Sequence, residues 1–191
     1  MTEYTVFLDR DGVINHDSDA YIKHPDEFYF IAKSPDAIAF LNAKGFQVIL
    51  ITNQSAVGRG MISGSTLDAV FKKMNHGVEQ AGGRIKDIFF CPHTPDQGCD
   101  CRKPEPGMIL QAAKRHNIDL KKSIMIGDSA KDIECGKSAG CAQTILVKTG
   151  NGKKAMAVLT KKGIAPDFFA KDLYAAACWI TANFPFDNMD S

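Results

Sequence analysis

Four short polar clusters interrupt the chain, and their residue types point to one chemistry. Asp9-Arg10-Asp11-Gly12 sets two carboxylates two residues apart, so on an extended backbone both face one point, and Gly12 permits a sharp turn just after them. Two carboxylates that close repel each other unless a cation lies between them or one keeps a proton; a hard cation such as Mg²⁺ suits their oxygens. Thr52-Asn53-Gln54-Ser55 offers two hydroxyls and two amides, neutral donors matched to phosphate oxygens. Arg102 and Lys103 bring a guanidinium fork and an ammonium, which offset the charge of a transferring phosphoryl group. Gly127-Asp128, followed by Asp132, adds a further carboxylate for Mg²⁺, with a helix N-terminal cap as the other reading. Each cluster alone is an ordinary polar turn, but four in this order are not.

A fifth stretch, "CPHTPDQGCDCRKP" (91–104), runs straight into Arg102 and Lys103. Cys91, His93, Cys99 and Cys101 supply three thiolates and an imidazole, a closed tetrahedral set for Zn²⁺ that leaves no open position for catalysis. A redox pair would show Cys-x-x-Cys near a helix start, and the spacing here is Cys-x-Cys. A proline-rich loop has few regular hydrogen bonds, so a structural zinc would be the clamp that holds the two cations in place.

These clusters need elements to position them, and the pattern supplies strands and helices in alternation. Near-continuous apolar runs at 4–8, 46–51, 85–90, 123–127 and 143–147 read as strands covered on both faces. Helical segments are expected at 34–45, 65–83, 105–117, 129–140 and 171–184. The alternation predicts an α/β fold: a doubly wound, Rossmann-like parallel sheet with helices on both faces. In such a sheet ligands bind beyond the carboxyl ends of the strands, where all four clusters fall. Only about 40 residues separate Asp11 from Thr52, most of them claimed by one helix and its approach, so no large cap domain fits there. The chain 1–191 reads as one domain with a zinc loop at 91–101.

Of 191 residues, 45% are hydrophobic and 24% charged, and the formal net charge of +1 lacks the basic excess of a nucleic-acid binder. No run approaches a membrane span and the opening "MTEYTVFLDRDG" lacks a signal pattern, so a cytoplasmic monomer acting on a small phosphorylated partner is expected. Cys135, Cys141 and Cys178 are expected as small core residues, and Phe168, Phe169 and Trp179 as a seal on the sheet. His16, His24, His76 and His116 show no partner spacing, and "KTGNGKK" (148–154) lacks the Walker spacing and reads as a solvated turn. Arg59, between two glycines, either contacts a second phosphate or is a surface residue.

In this order the motifs resemble those of the haloacid dehalogenase superfamily of phosphotransferases: "DRDGV" its first, Thr52 its second, Lys103 its third and "GDSAKD" its fourth. The resemblance implies that Asp9 attacks phosphorus and forms an aspartyl-phosphate, while Asp11 protonates the leaving oxygen and then activates water. It further implies Mg²⁺ held by Asp9, the Asp11 backbone carbonyl and Asp128, with Thr52 and Lys103 on the phosphoryl oxygens. The cysteine loop, "RKPEPGM", "TNQSAVGRG" and "AYIKHPDEFYFI" look like the D-glycero-D-manno-heptose 1,7-bisphosphate phosphatases of that superfamily, on the route to lipopolysaccharide or other surface heptose. By that likeness Arg102 recognises substrate, residues 52–55 line the phosphate site, and Tyr21 lies in the loop at its mouth. The sequence departs from the pattern at Val13, where Thr is usual, and at Ser129, where Lys is usual. Histidinol-phosphate phosphatases share a similar zinc loop, and a zinc-stabilised binding module with vestigial carboxylates is the reading from another class.

Overall fold

Alternate residues of the apolar runs pack to opposite sides. Val6, Leu8, Val48, Leu50, Ile124 and Ile126 are shielded on one face, and Phe7, Ile49, Ile51 and Met125 on the other. In the computed structural model, which describes residues 4–184, they belong to one parallel sheet ordered β3-β2-β1-β4-β5-β6. Its strands are β1 (Thr5–Leu8), β2 (Gln47–Asn53), β3 (Asp87–Cys91), β4 (Ser123–Gly127), β5 (Gln143–Val147) and β6 (Phe168–Ala170). β1 is central, with Leu8 opposite Leu50 on one side and Ile126 on the other.

The helices are α1 (Ser34–Ala43), α2 (Ser55–Gly58), α3 (Gly64–Gln80), α4 (Gly107–His116), α5 (Ala130–Ala139), α6 (Gly152–Lys161) and α7 (Leu173–Asn183). Pro35 lies in the first turn of α1, where its missing N–H is not needed; Ser63 and Asp172 cap α3 and α7 by accepting from the amides of Thr66 and Ala175. α1, α3 and α7 cover one face of the sheet, while α4 and α5 cover the other. Leu41 of α1 is fully buried in the first layer, and truncating such a residue to Ala costs about 2–5 kcal/mol.

The doubly wound α/β fold is as expected, and no cap domain stands between β1 and β2 or between β2 and β3 among the described residues. Thr52 and Asn53 lie inside β2 rather than beyond it, because β3 continues alongside to pair Thr52 with Phe90 and Asn53 with Cys91. β6, α2 and α6 were not read from the sequence. Phe168 stacks on Trp179 at 4.7 Å, closing that edge of the sheet as expected. Of the three cysteines expected in the core, Cys135 is buried, Cys141 is half-buried and Cys178 is exposed, a correction: α7 is apolar on most sides, so its pattern did not mark the face left in solvent. No helix among the described residues is long and apolar enough to cross a membrane.

Candidate active site

Four strand ends converge on one open cavity of about 550 Å³, lined among others by Asp9, Asp11, Arg102, Lys103 and Asp128. Asp9 follows β1 and keeps its backbone on the sheet, its amide donating to Ile126 O at 3.0 Å. Arg10 is 1% exposed and folds its guanidinium onto the Asp11 carboxylate, and both residues line the cavity. Gly12, at φ +77°, reverses the chain; a Cβ there would lie 2.1 Å from Asp128 Oδ2.

Lys103 is 2% exposed, its ammonium 2.8 Å from Asp9 Oδ1 and 2.6 Å from Asp132 Oδ1, and it donates to Ile51 O at 2.9 Å. Burial opposes its charge, but Asp132 and Asp9 outweigh that and push its pKa above the ordinary lysine value. Asn53 holds the same residue by its backbone, accepting from Lys103 N at 3.1 Å and donating to Lys103 O at 3.2 Å. Gln54 donates both to Asp11 Oδ2, at 3.0 Å, and to Thr52 Oγ1, at 2.9 Å. Asn53 and Gln54, expected at the phosphate, line the cavity with their amide nitrogens engaged by the protein. Ser55 begins α2 and lines the cavity too.

Asp128 follows β4 and is 3% exposed; its Oδ2 accepts the Asn151 amide at 2.7 Å. Asp132, fully buried, completes a capping box: Ser129 N and Oγ donate to its Oδ2 at 2.9 and 2.8 Å. The capping reading of the second acidic motif falls on Asp132. Asp128 faces the cavity, while Asp132 caps α5 and anchors Lys103.

Carboxylate oxygens of Asp9, Asp128 and Asp132 lie within 4.8 Å of one another. Burial pushes the Asp9 carboxyl up to about 7, with Lys103 opposing and Asp132 adding to the rise. Burial, then repulsion from Asp132 and Asp9, pushes Asp128 up to about 8. Three carboxylates share one ammonium, so the cluster is short of positive charge. A hard divalent cation with oxygen ligands fits that deficit.

The stretch at 148–154 is the largely exposed turn expected, and it also packs against the site. Gly150, at φ +56°, sits where a Cβ would be 2.1 Å from Asp128 Oδ2 and 2.7 Å from Gly12 Cα, and Thr149 Oγ1 donates to Gly12 O at 2.6 Å. α6 then runs along the cavity, contributing Lys154, Ala155 and Val158. This loop follows β5, so the strand-end rule applied to one more strand finds it.

Cys91 ends β3, and its Sγ is 3.7 Å from Cys99 Sγ, 3.1 Å from Cys101 Sγ and 3.5 Å from His93 Nδ1. Cys101 Sγ lies 3.4 Å from Cys99 Sγ and 3.3 Å from His93 Nδ1, and no disulfide joins the cysteines. Ligand atoms about 2.3 Å from a tetrahedral zinc stand roughly 3.8 Å apart, so the four are slightly closer than a bound metal would hold them. The donor set and its closure fit that ion. Arg102, which follows directly, donates to His93 O at 2.9 Å.

Tyr21, at φ +62°, and Arg102 line the cavity, but Arg59 is exposed and outside it, so its surface reading stands. His116 does have a partner, contrary to expectation: its Nε2 is 2.8 Å from Asp87 Oδ2, a contact made across the fold from β3 to α4 and invisible in local spacing. His24 accepts from the Asp26 amide, while His16 and His76 are exposed. Sequence reasoning missed Arg10, Asn15, Lys131, Gly150, Asn151 and Lys154.

A parallel sheet with an Asp-x-Asp pair after its central strand, and Thr, Lys and paired Asp on the adjoining strand ends, defines a haloacid dehalogenase-like hydrolase. The HAD-hydrolase-like family matches residues 100–176. The chain is 47% identical to the D-glycero-beta-D-manno-heptose-1,7-bisphosphate 7-phosphatase of Bordetella bronchiseptica over 80% of this chain and 84% of that one. It is 46% identical to the same-named protein of Pseudomonas putida over 79% and 86%. The crystal structure of D,D-heptose 1,7-bisphosphate phosphatase from B. bronchiseptica, complexed with magnesium and phosphate, superposes with a TM-score of 0.89 at 42% identity, covering 94% of this chain and 99% of that one. This chain belongs to the D-glycero-D-manno-heptose-1,7-bisphosphate 7-phosphatase family, and it is a phosphatase.

Proposed function

We propose that the chain hydrolyses the C7 phosphate of D-glycero-D-manno-heptose 1,7-bisphosphate, through an aspartyl-phosphate on Asp9. The observation that carries this reading is the convergence of Asp9, Asp128 and Lys103 on the cavity that Asp11 also lines. Mg²⁺, held by the carboxylates of Asp9 and Asp128 and the Asp11 main-chain carbonyl, would supply the positive charge that lets an anionic nucleophile meet an anionic substrate. Lys103 fixes Asp9 and faces the phosphoryl oxygens. Thr52 accepts from Gln54, which leaves its own hydroxyl hydrogen free for one of those oxygens. Asp11 gives a proton to the departing sugar oxygen and then takes one from the attacking water.

Asn53 and the loop 91–101 set where Lys103 stands, and a structural zinc on Cys91, His93, Cys99 and Cys101 would fix that loop. The substrate's other phosphate meets Arg102, Lys131 and Lys154; the two lysines line the cavity and make no ion pair or hydrogen bond with the described residues. Ser55 and Tyr21 complete the walls. The chain acts as a cytoplasmic monomer, as one domain over 1–191, in the supply of surface heptose for lipopolysaccharide, and it binds neither nucleic acid nor membrane.

The test is phosphate release by purified protein with Mg²⁺, comparing both anomers of the heptose bisphosphate with histidinol phosphate. Preferred turnover of a heptose bisphosphate, abolished by Asp9→Asn, is the expected result. Faster turnover of histidinol phosphate would overturn the substrate assignment.

A further inference from the structure

Asp11 has four side-chain hydrogen bonds, divided unevenly between its oxygens. Oδ1 accepts from Arg10 Nε at 3.1 Å, Arg10 Nη2 at 2.8 Å and Asn15 Nδ2 at 2.9 Å. Oδ2 accepts only from Gln54 Nε2, at 3.0 Å. Each carboxylate oxygen has about two lone-pair sites, so Oδ1 is filled and Oδ2 keeps one open toward the cavity.

Arg10 is a costly way to hold a carboxylate for stability alone. Its guanidinium is 1% exposed, its Nη1 has no hydrogen-bond partner, and its Cζ lies 5.8 Å from the Phe71 ring centroid. A buried ion pair replaced as a whole by apolar side chains often costs no stability, so the Arg10–Asp11 pair is weak evidence for a stabilising role. What an apolar side chain in place of Arg10 cannot do is fix the Asp11 carboxylate about one oxygen. Asn15, fully buried, adds a second anchor to that oxygen, and its amide also donates to His16 O at 2.9 Å. Gln54 sets the opposite oxygen at a fixed place relative to Thr52, because one amide nitrogen serves both.

We infer that Asp11 Oδ2 is the oxygen that carries the proton, and that Arg10, with Asn15 and Gln54, is the positioning residue that turns it to the reacting bond. The inference rests on the phosphatase mechanism proposed above and adds which atom acts and what aims it. In the first half-reaction an Asp9 oxygen bonds to phosphorus, the bond from phosphorus to the sugar oxygen breaks, and that oxygen takes the proton from Asp11 Oδ2. In the second, water bonds to phosphorus, passes a proton to Oδ2, and the bond from phosphorus to Asp9 breaks, releasing phosphate and restoring both side chains.

A misaimed acid shows itself in the dependence of the rate on the leaving group, which a general loss of structure does not change. First-turnover release of phenol would be measured for a series from phenyl phosphate, whose leaving oxygen needs the proton, to p-nitrophenyl phosphate, which leaves without it. The series is independent of the heptose assignment. Arg10→Met is expected to slow phenyl phosphate about a hundredfold, the scale of general acid catalysis, and p-nitrophenyl phosphate less than about threefold. Arg10→Lys should restore part of the difference. Gln54→Met, which keeps the buried stem, should steepen the dependence in the same direction and serves where Arg10→Met does not fold. Equal losses across the series in both Met variants, or an unchanged dependence, would overturn the inference. A wild-type protein that cleaves none of the series with Mg²⁺ would overturn the phosphatase mechanism and this inference with it, whereas failure on heptose bisphosphate alone touches only the substrate.

Discussion

Replacing Lys103 with Met tests how far one buried ammonium serves both stability and catalysis. The substitution keeps an apolar stem and removes contacts at 2.8 Å to Asp9, 2.6 Å to Asp132 and 2.9 Å to Ile51 O. It leaves Asp132 fully buried with only Ser129 as donor. Removing one partner of a buried pair costs about 3–5 kcal/mol. The lower figure applies here, because Asp9 and Asp128 already rise to about 7 and about 8 and can take up a proton. At about 2–4 °C per kcal/mol for a chain of this length, the metal-free variant should melt about 6–12 °C below wild type. Losing one preorganised cation at the phosphoryl group should lower kcat by about 10²–10³. Adding Asp132→Asn removes the stranded charge, so the double variant should regain most of the stability and none of the activity. Thermal melts and phosphate release on the single and double variants read both effects. A melting shift under about 2 °C, or recovery of activity in the double variant, would refute the reasoning.

Asp9 and Asp128, raised from 3.8 to about 7 and about 8, keep protons in the folded state that the unfolded chain has lost, so metal-free stability should fall as pH rises from about 4 to 8. Mg²⁺ binds the ionised groups and should raise the melting temperature more at pH 8 than at pH 5; a shift independent of pH would count against this pair as the ligands. Gly150→Ala forces a Cβ to within 2.1 Å of Asp128 Oδ2 at φ +56°, and titration should show Mg²⁺ affinity reduced at least about tenfold with circular dichroism unchanged. Elemental analysis should find about one zinc per chain, and Cys99→Ser should lose it together with most of the activity; zinc-free protein of full activity would remove the clamp. Lys131→Ala and Lys154→Ala should each raise KM for the bisphosphate by about threefold, the worth of an exposed ion pair, with kcat unchanged on a monophosphate.

The parts of the site that lie within a few residues of a buried strand were legible, because a continuous apolar run followed by carboxylates or cations leaves few arrangements open. "DRDGV", Thr52 and "GDSAKD" are local signals of that kind, and Lys103 is reached through the spacing of the cysteine loop that leads into it. What escaped depends on contacts far apart in the chain. Asn151 meets Asp128 across 23 residues and Thr149 meets Gly12 across 137, and nothing in "KTGNGKK" encodes either partner. α6 opens with Asn151, which makes no side-chain cap, so its start resembles a turn. β6 has only three residues and rests on a single neighbour, too short for a pattern. Arg10 sits between two aspartates in sequence, but it is buried beside Phe71, a neighbour distant in the chain that periodicity does not report.

β3 is the outermost strand on its side, and Cys91 is its last rung, paired with Asn53. A lone peripheral strand of five residues would fray first at that end, and Asn53 is the residue that grips the Lys103 backbone. A zinc held by the Cys/His cluster at the hem of the sheet would couple the selvedge to the reaction centre. Amide exchange at Phe90 and Cys91 should speed up when that zinc is removed, and the enzyme's output in a cell would follow the availability of a second ion that never touches the substrate.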